Sequence, residues 1–397
     1  MFVLLTALIC LTIGMACAEN DYAAYELQWG DAFAVQAPDA ILDNGDMLFR
    51  AWADREGTVD ETHPWHLVWM RDGKIYRDVA YRNNTRYPWS VCRFAVSRDN
   101  ECYVILPAAE DVNGAKAVDP GYVQGAEVYH WTENGLKRTA VLPGLWRDTD
   151  IRVIRGGFAL WDRQSGRMTV HTCDGTLTAE YPLETYEDGD FVSFAGEMDG
   201  VQLAVFRTSR YQGAKVTSRV YAVRDGKILW QKDYRVMTYA HVPGDGYLYV
   251  SWYDNGKSYS FVHFDRLDES GRVLLGRTIS ADKQVLVCAL RTDPQKGRLQ
   301  LYGRGVSRSR EEYNAFVMTL DETMRESALQ VCTFNYHRDT EFSVMPLPEG
   351  GFAVFSNGTY WDDAEREPGE KMPASGMPVV VPMEVLQETN RHGITLK

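Results

Sequence analysis

Short apolar runs alternate with polar turns over most of this chain, and one such pattern is written twice. RDTDIRVIRGGFALW (147–161) returns as RDTEFSVMPLPEGGFAVF (338–355). In both copies charged residues and a Thr introduce an alternating run, a turn ends in Gly-Gly, and a second run opens Phe-Ala. Period-two alternation on both sides of a glycine turn predicts a β-hairpin. The Gly-led apolar strand recurs as MLFRAW at 47, CYVILP at 102, FALW at 158, VQLAVF at 201, YLYVSW at 247, LQLYGR at 299 and FAVFS at 352. The spacing, about 51 residues on average, suits a four-stranded propeller blade.

A second hairpin follows each of these strands. Its copies are HLVWMRDGKIYRDV (66–79), EVYHWTENGLKRTAVL (127–142), MTVHTCDGTLTAEY (168–181), RVYAVRDGKILWQKDY (219–234), SFVHFDRLDESGRVLLGRT (260–278), AFVMTLDETMRESALQV (315–331) and VVVPMEVLQETNRHGITLK (379–397). Asp-Gly and Asn-Gly between alternating strands favour turns in which both central residues take positive φ. Four strands per unit, a to d, predict an all-β chain: a seven-bladed β-propeller of four-stranded antiparallel blades, filling residues 19–397 as one domain. Two devices could close it. DYAAYELQW (21–29) could add the outermost strand of the last blade, or the C-terminal ITLK could. Either removes open edges that would invite aggregation.

RVYAVRDGKILWQ resembles the repeat of pyrroloquinoline-quinone-type propellers through Val220, Tyr221, Gly226 and Trp230, with a shorter turn. LPEGGFAVFS resembles the Gly-Gly turn of bacterial extracytoplasmic propeller repeats. The resemblance implies the fold. It does not extend to a quinone, because the adjacent cysteine pair of quinone dehydrogenases is missing, and no cofactor is expected.

Composition narrows the setting. The 397 residues are 45% hydrophobic, enough for a substantial core, and the net charge of −13 lacks any basic cluster. Nucleic acid and anionic membranes are therefore poor partners, whereas cations, sugars or basic proteins fit. Residues 1–18 form an apolar run ending Ala16-Cys17-Ala18, which reads as a signal peptide cleaved before Glu19. Acylation of Cys17 as a lipoprotein is the second choice, since Gly14 stands where a branched residue is preferred. The expected setting is secreted or envelope-associated, with no membrane span in the mature chain and a monomeric state. Cys92, Cys102, Cys173, Cys288 and Cys332 are odd in number and sit in apolar runs, so buried thiols are expected and not a disulfide framework. Asn83 and Asn357 begin Asn-x-Thr sequons.

Candidate chemistry gathers at one end. In an antiparallel four-stranded unit the a–b and c–d turns share an end, and the b–c loops and d–a crossings share the other. The loops at 54–66, 108–127 and 356–377 are longer than hairpins require, which marks a binding face. Asp150, Asp190 and Glu341 align at the starts of three a strands, with Asp148, Asp188 and Asp339 two residues earlier. Such carboxylates serve as oxygen ligands to a cation or as an acid/base pair; equally, they pair with Arg147, Arg338 or Arg86 and cap strand starts. Trp65, Trp89, Trp146, Tyr360 and Trp361 are the foremost aromatic candidates for stacking on a sugar or peptide, with Tyr87, Tyr122 and Tyr253 beside them; the competing role is packing between blades. His63 and His66 read as surface-loop residues, and His130, His171 and His263 as satisfied strand residues. No calcium loop, zinc spacing, nucleophile elbow, P-loop or His-Glu-x-x-His occurs, so no catalytic or metal residue is assigned. The leading expectation is a binding or scaffold module for a glycan, peptide or protein on the loop-rich face. The rival is a polysaccharide-active hydrolase or lyase using the channel-mouth carboxylates.

Overall fold

The structure, a computed structural model, describes residues 25–26, 33–35, 38–53, 65–72, 74–81, 93–97, 99–107, 125–143, 149–154, 156–162, 167–182, 191–198, 203–212, 215–255, 260–281, 284–293, 297–306, 313–334, 342–348, 350–356 and 379–381. After β1 (Tyr25–Glu26), the first sheet contains β2 (Phe33–Val35), β3 (Ala40–Ile41), β4 (Met47–Ala53), β5 (Trp65–Arg71) and β6 (Lys74–Tyr81). The second contains β7 (Arg93–Val96), β8 (Cys102–Pro107), β9 (Gly125–Thr132) and β10 (Gly135–Pro143); the third β11 (Thr149–Ile154), β12 (Gly157–Asp162), β13 (Arg167–Thr172) and β14 (Leu177–Pro182). The fourth is β15 (Phe191–Met198), β16 (Leu203–Gln212), β17 (Lys215–Arg224) and β18 (Lys227–Tyr234); the fifth β19 (Thr238–His241), β20 (Leu248–Asn255), β21 (Ser260–Leu267) and β22 (Val273–Ala281). The sixth is β23 (Gln284–Thr292), β24 (Leu299–Val306), β25 (Tyr313–Leu320) and β26 (Glu326–Phe334), and the last joins β27 (Phe342–Pro346), β28 (Phe352–Ser356) and β29 (Val379–Val381) to β1.

This is an all-β propeller: antiparallel sheets taken in chain order, each packed face to face on the next. Among the described residues, the expectation of four strands in every unit holds in six sheets and fails in the first, which has five. Its inner edge is broken, β2 pairing with the far end of β4 and β3 with the near end. The closing strand is N-terminal. Tyr25 lies opposite Val380 and Glu26 opposite Val379, so the outer position in the last sheet belongs to β1, and not to a second strand of a 379–397 hairpin. ITLK and the predicted leader 1–18 lie outside the described residues.

The core sits between sheets, which explains two kinds of strand sequence. On β17, Val220 and Ala222 pack toward the fifth sheet while Tyr221 and Val223 pack toward the third. Both faces are covered, and the run reads as continuously apolar. The outer neighbour β18, KILWQKDY, has only part of its surface covered and alternates exposed with half-buried positions. Similar clusters link Trp69 to Phe94 and Val104, Val128 to Phe158, and Phe264 to Leu301 and Phe316. Ala353 of the last sheet packs with Met47, Phe49 and Val68 of the first. Each such side chain contributes about 1.5–3 kcal/mol when fully buried. Cys102 and Cys173 are buried free thiols, as expected.

The c–d turns follow more than one rule. Asp225 and Gly226 both take positive φ, as the Asp-Gly signal predicts. At Asn134-Gly135 and Asp174-Gly175 only the glycine does; Gly175 N–H donates to Thr172 O at 2.9 Å, and the register shifts beside it. Among the described residues no helix is long and apolar enough to cross a membrane.

Candidate functional site

The strand order assigns every connection to an end. The links 54–64, 108–124 and 357–378 join second to third strands, and 82–92 and 183–190 join outer to inner strands, so all five leave the same end. Trp65 is the first residue of β5, on a strand and not in a loop. It stands opposite Trp52 and Tyr81, giving a row Trp52, Trp65, Tyr81 across the first sheet at that end. Asp150 is the second residue of inner strand β11, opposite Trp161. β15 and β27, the inner strands of their sheets, begin one residue after Asp190 and Glu341. Asp148, Asp188, Asp190, Asp339, Glu341, Trp89, Trp146, Tyr360, Trp361, Tyr87, Tyr122 and His63 lie outside the described residues.

The opposite end is occupied by its own fastenings. Asp268 Oδ1 accepts from the backbone N–H groups of Ser270 and Arg272, and Asp321 Oδ1 does the same for Thr323 and Arg325. The Ser270 hydroxyl with the backbone bonds at Asp268, and the Arg325 N–H with the Thr323 hydroxyl at Asp321, hold both carboxyls below the usual carboxylate range. Three outer strands then reach the c–d hairpin of the next sheet. Arg77 donates to Trp131 O, Trp230 Nε1 to Glu269 O at 2.8 Å, and Arg277 Nε to Thr323 O at 2.8 Å. Inner turns are joined too, by Gly156 N–H to Val96 O and Arg291 to Leu347 O.

Several predicted aromatics and histidines resolve into packing. Tyr253 is a wedge between the fifth and sixth sheets, its hydroxyl accepting from Val287 N–H at 2.6 Å, and it is not a stacking platform. His171 is buried against Phe158, one nitrogen facing Gly175 O and the other Thr169 Oγ1, so burial keeps it below the ordinary histidine range. His66 departs from the surface-loop expectation: it is half-buried on β5 with Nδ1 2.7 Å from Asp78 Oδ1.

Two polar clusters went unmarked in the sequence. In the first sheet, Asp46, only 3% exposed, accepts from Trp69 Nε1 at 2.7 Å and from Arg71, whose guanidinium lies 3.9 Å from the Tyr76 ring centroid. Between the fourth and fifth sheets, Lys232, Tyr234, Trp252, His263, Asp265 and Thr278 share one seam. Tyr234 Oη donates to Asp265 at 3.4 Å; His263 stacks on Trp252 at 5.3 Å, with Nδ1 2.9 Å from Thr278 Oγ1. Burial pushes the Asp265 carboxyl up, against the pull of Lys232, Tyr234 and His263. The signal available in sequence was polar residues at alternate positions of SFVHFDRL, where a fully covered strand would be apolar. Among the described residues no group of three or more His, Cys, Asp and Glu is placed to hold a metal ion.

No known family profile matches the chain, and no curated protein matches it. The quinone-type likeness of residues 219–231 therefore gains no support from a family. Among solved structures, a protein of unknown function from Bacteroides caccae is 11% identical, over 67% of this chain and 90% of its own, at a TM-score of 0.38. Prolyl oligopeptidase B from Galerina marginata is 8% identical over 92% of this chain at 0.40, and the chain spans about half of that protein's length (51%). The Dos1 propeller is 13% identical over 78% of this chain and 76% of its own at 0.32. Overlaps this loose transfer no activity, and the fold rests on the strand order and the packing between sheets.

Proposed function

We propose that this chain is a secreted or envelope-associated propeller, monomeric in its mature form, that binds a glycan, peptide or protein on the end bearing its long connections. We read the seven sheets as blades of one ring, the broken inner edge of the first counting as a single strand. The observation that carries the functional reading is the asymmetry of the two ends. The long links 54–64, 82–92, 108–124 and 357–378 belong to one end, while the other is taken up by tight turns bonded to their neighbours. A rigid frame with unequal ends offers variable surface at the long-loop end. Asp148, Asp150, Asp188, Asp190, Asp339 and Glu341 supply acceptors there, and Trp65, Trp89, Trp146, Tyr360 and Trp361 supply stacking faces. The test is a glycan and peptide binding screen on the mature chain beside an Asp150→Ala, Trp361→Ala double variant. Binding by the parent and loss in the variant supports the reading; equal binding removes this end as the site.

A further inference from the structure

The seam between the fourth and fifth sheets holds a carboxylate whose surroundings are incomplete. Asp265 is half-buried on β21, and burial disfavours its charge. Tyr234 Oη at 3.4 Å is its hydrogen-bond donor, at the outer limit for such a bond. An ionised carboxylate has about four acceptor positions, and among the described residues no cation reaches ion-pair distance of this one; Lys232 acts on it only at longer range. Neither of its oxygens is a buried atom without a partner, so water reaches them, and a ligand hydroxyl that reproduces water's bonds would take that place.

The outer strand leaves it uncovered. Opposite Asp265 on β22 stands Gly276, itself exposed, and a Cβ built there would meet Asp265 Oδ1 at 3.5 Å. Any larger side chain at that position would roof the carboxylate. In the adjoining row Trp252, His263 and Thr278 stand side by side, with Thr278 exposed. The imidazole lies flat on the indole and directs Nδ1 to the threonine hydroxyl. Lys232 comes from the facing sheet.

We infer that this opening, roofless at Gly276 and floored by Asp265, is a rim site for a neutral polyhydroxyl ligand, a pyranoside, separate from the long-loop end. The charges select that class. Lys232 beside the carboxylate disfavours a cationic guest, and Asp265 disfavours an anion. Vicinal hydroxyls satisfy both: one donates to Asp265 while its neighbour accepts from the Lys232 ammonium, and Thr278 Oγ1 is available to either. The rim site stands whether or not the loop end binds.

The experiment titrates the whole mature chain with the methyl glycosides of glucose, mannose, galactose and N-acetylglucosamine, read by saturation-transfer NMR and calorimetry. Gly276→Val suits a strand, since residue 276 has no positive φ and ordinary room for a Cβ, and the variant is expected to fold, which its circular dichroism checks. At least one glycoside binds the parent, and Gly276→Val and Asp265→Asn each weaken it roughly tenfold or more. Asp150→Ala, Trp361→Ala leaves that binding unchanged. The site is overturned if none of the four binds the parent, or if Gly276→Val binds as the parent does. Loss in the loop-end variant alone would also overturn it and move the sugar to the other site.

Discussion

Trp230 of the fourth sheet lies against Gly271 of the fifth: a Cβ on Gly271 would stand 2.7 Å from the indole Cδ2, and the indole N–H donates to Glu269 O at 2.8 Å. The outer strand of one sheet thus locks onto the turn of the next. Gly271 also has φ of +80°, which side chains rarely adopt. Gly271→Ala combines strain with overpacking and is expected to cost about 2–4 kcal/mol. Trp230→Phe, which loses chiefly the hydrogen bond, is expected to cost about 1 kcal/mol of bond energy. Urea denaturation of the two variants measures the order.

The same turn is built differently one sheet on. Asp268-Glu-Ser-Gly-Arg272 and Asp321-Glu-Thr-Met-Arg325 share their Asp-centred hydrogen bonds, but Met324 replaces the glycine at φ of +58° and is buried in the core between the sheets. Glycine there relieves about 1 kcal/mol of backbone strain, while removing a buried methionine costs about 2–5 kcal/mol. The cavity outweighs the strain. Met324→Gly is therefore expected to be destabilised, by about 1–4 kcal/mol in denaturant titrations, despite restoring the residue the backbone favours.

Asp46 holds the buried Trp69 indole N–H and the Arg71 guanidinium. Asp46→Ala strands a buried donor and is expected to lose about 2–4 kcal/mol. Asp46→Leu loses no less, because the indole N–H still has no acceptor. Thermal or chemical unfolding of both checks this.

Acid sensitivity has an identifiable contributor in His171. Its folded pKa is lowered by burial, so the unfolded chain binds a proton more readily. Its contribution to stability is present above the ordinary histidine value of 6.5 and is lost as pH falls from there through the depressed folded value. His171→Gln is expected to flatten the decline in unfolding free energy over that window. An unchanged slope would assign the decline elsewhere.

Closure by the N-terminal strand makes its own demand. A chain that begins after Glu26 exposes the outer edge of β29, and open edges pair with other chains. Light scattering is expected to show more association of the truncated chain than of the parent under the same conditions.

Much of the fold was legible because sheets buried on both faces write themselves as apolar runs. Each of the seven Gly-led runs, from Met47 to Phe352, contains or overlaps the second strand of its own sheet. Closure was not legible. Tyr25 pairs with Val380 across nearly the whole chain, and a two-residue strand has too little pattern to name its partner. The broken inner edge at β2 and β3 escaped for the same reason. Turn types escaped because the Thr172 and Asp174 side chains bond locally and compete with the paired positive-φ geometry that Asp-Gly favours. The seam at Asp265 was overlooked because its residues come from two sheets, and spacing along one strand cannot show what faces it.

The two unequal ends are the centre of this account, and shortening one of them tests it most directly. Surface loops close at little entropic cost, so replacing 54–64, 108–124 and 357–378 with minimal Gly-Ser turns is expected to leave the sheets folded. Affinity for the glycan or peptide selected in the screen is then measured by calorimetry. The account predicts a folded chain that no longer binds; a shortened chain that binds as tightly as the parent would contradict it.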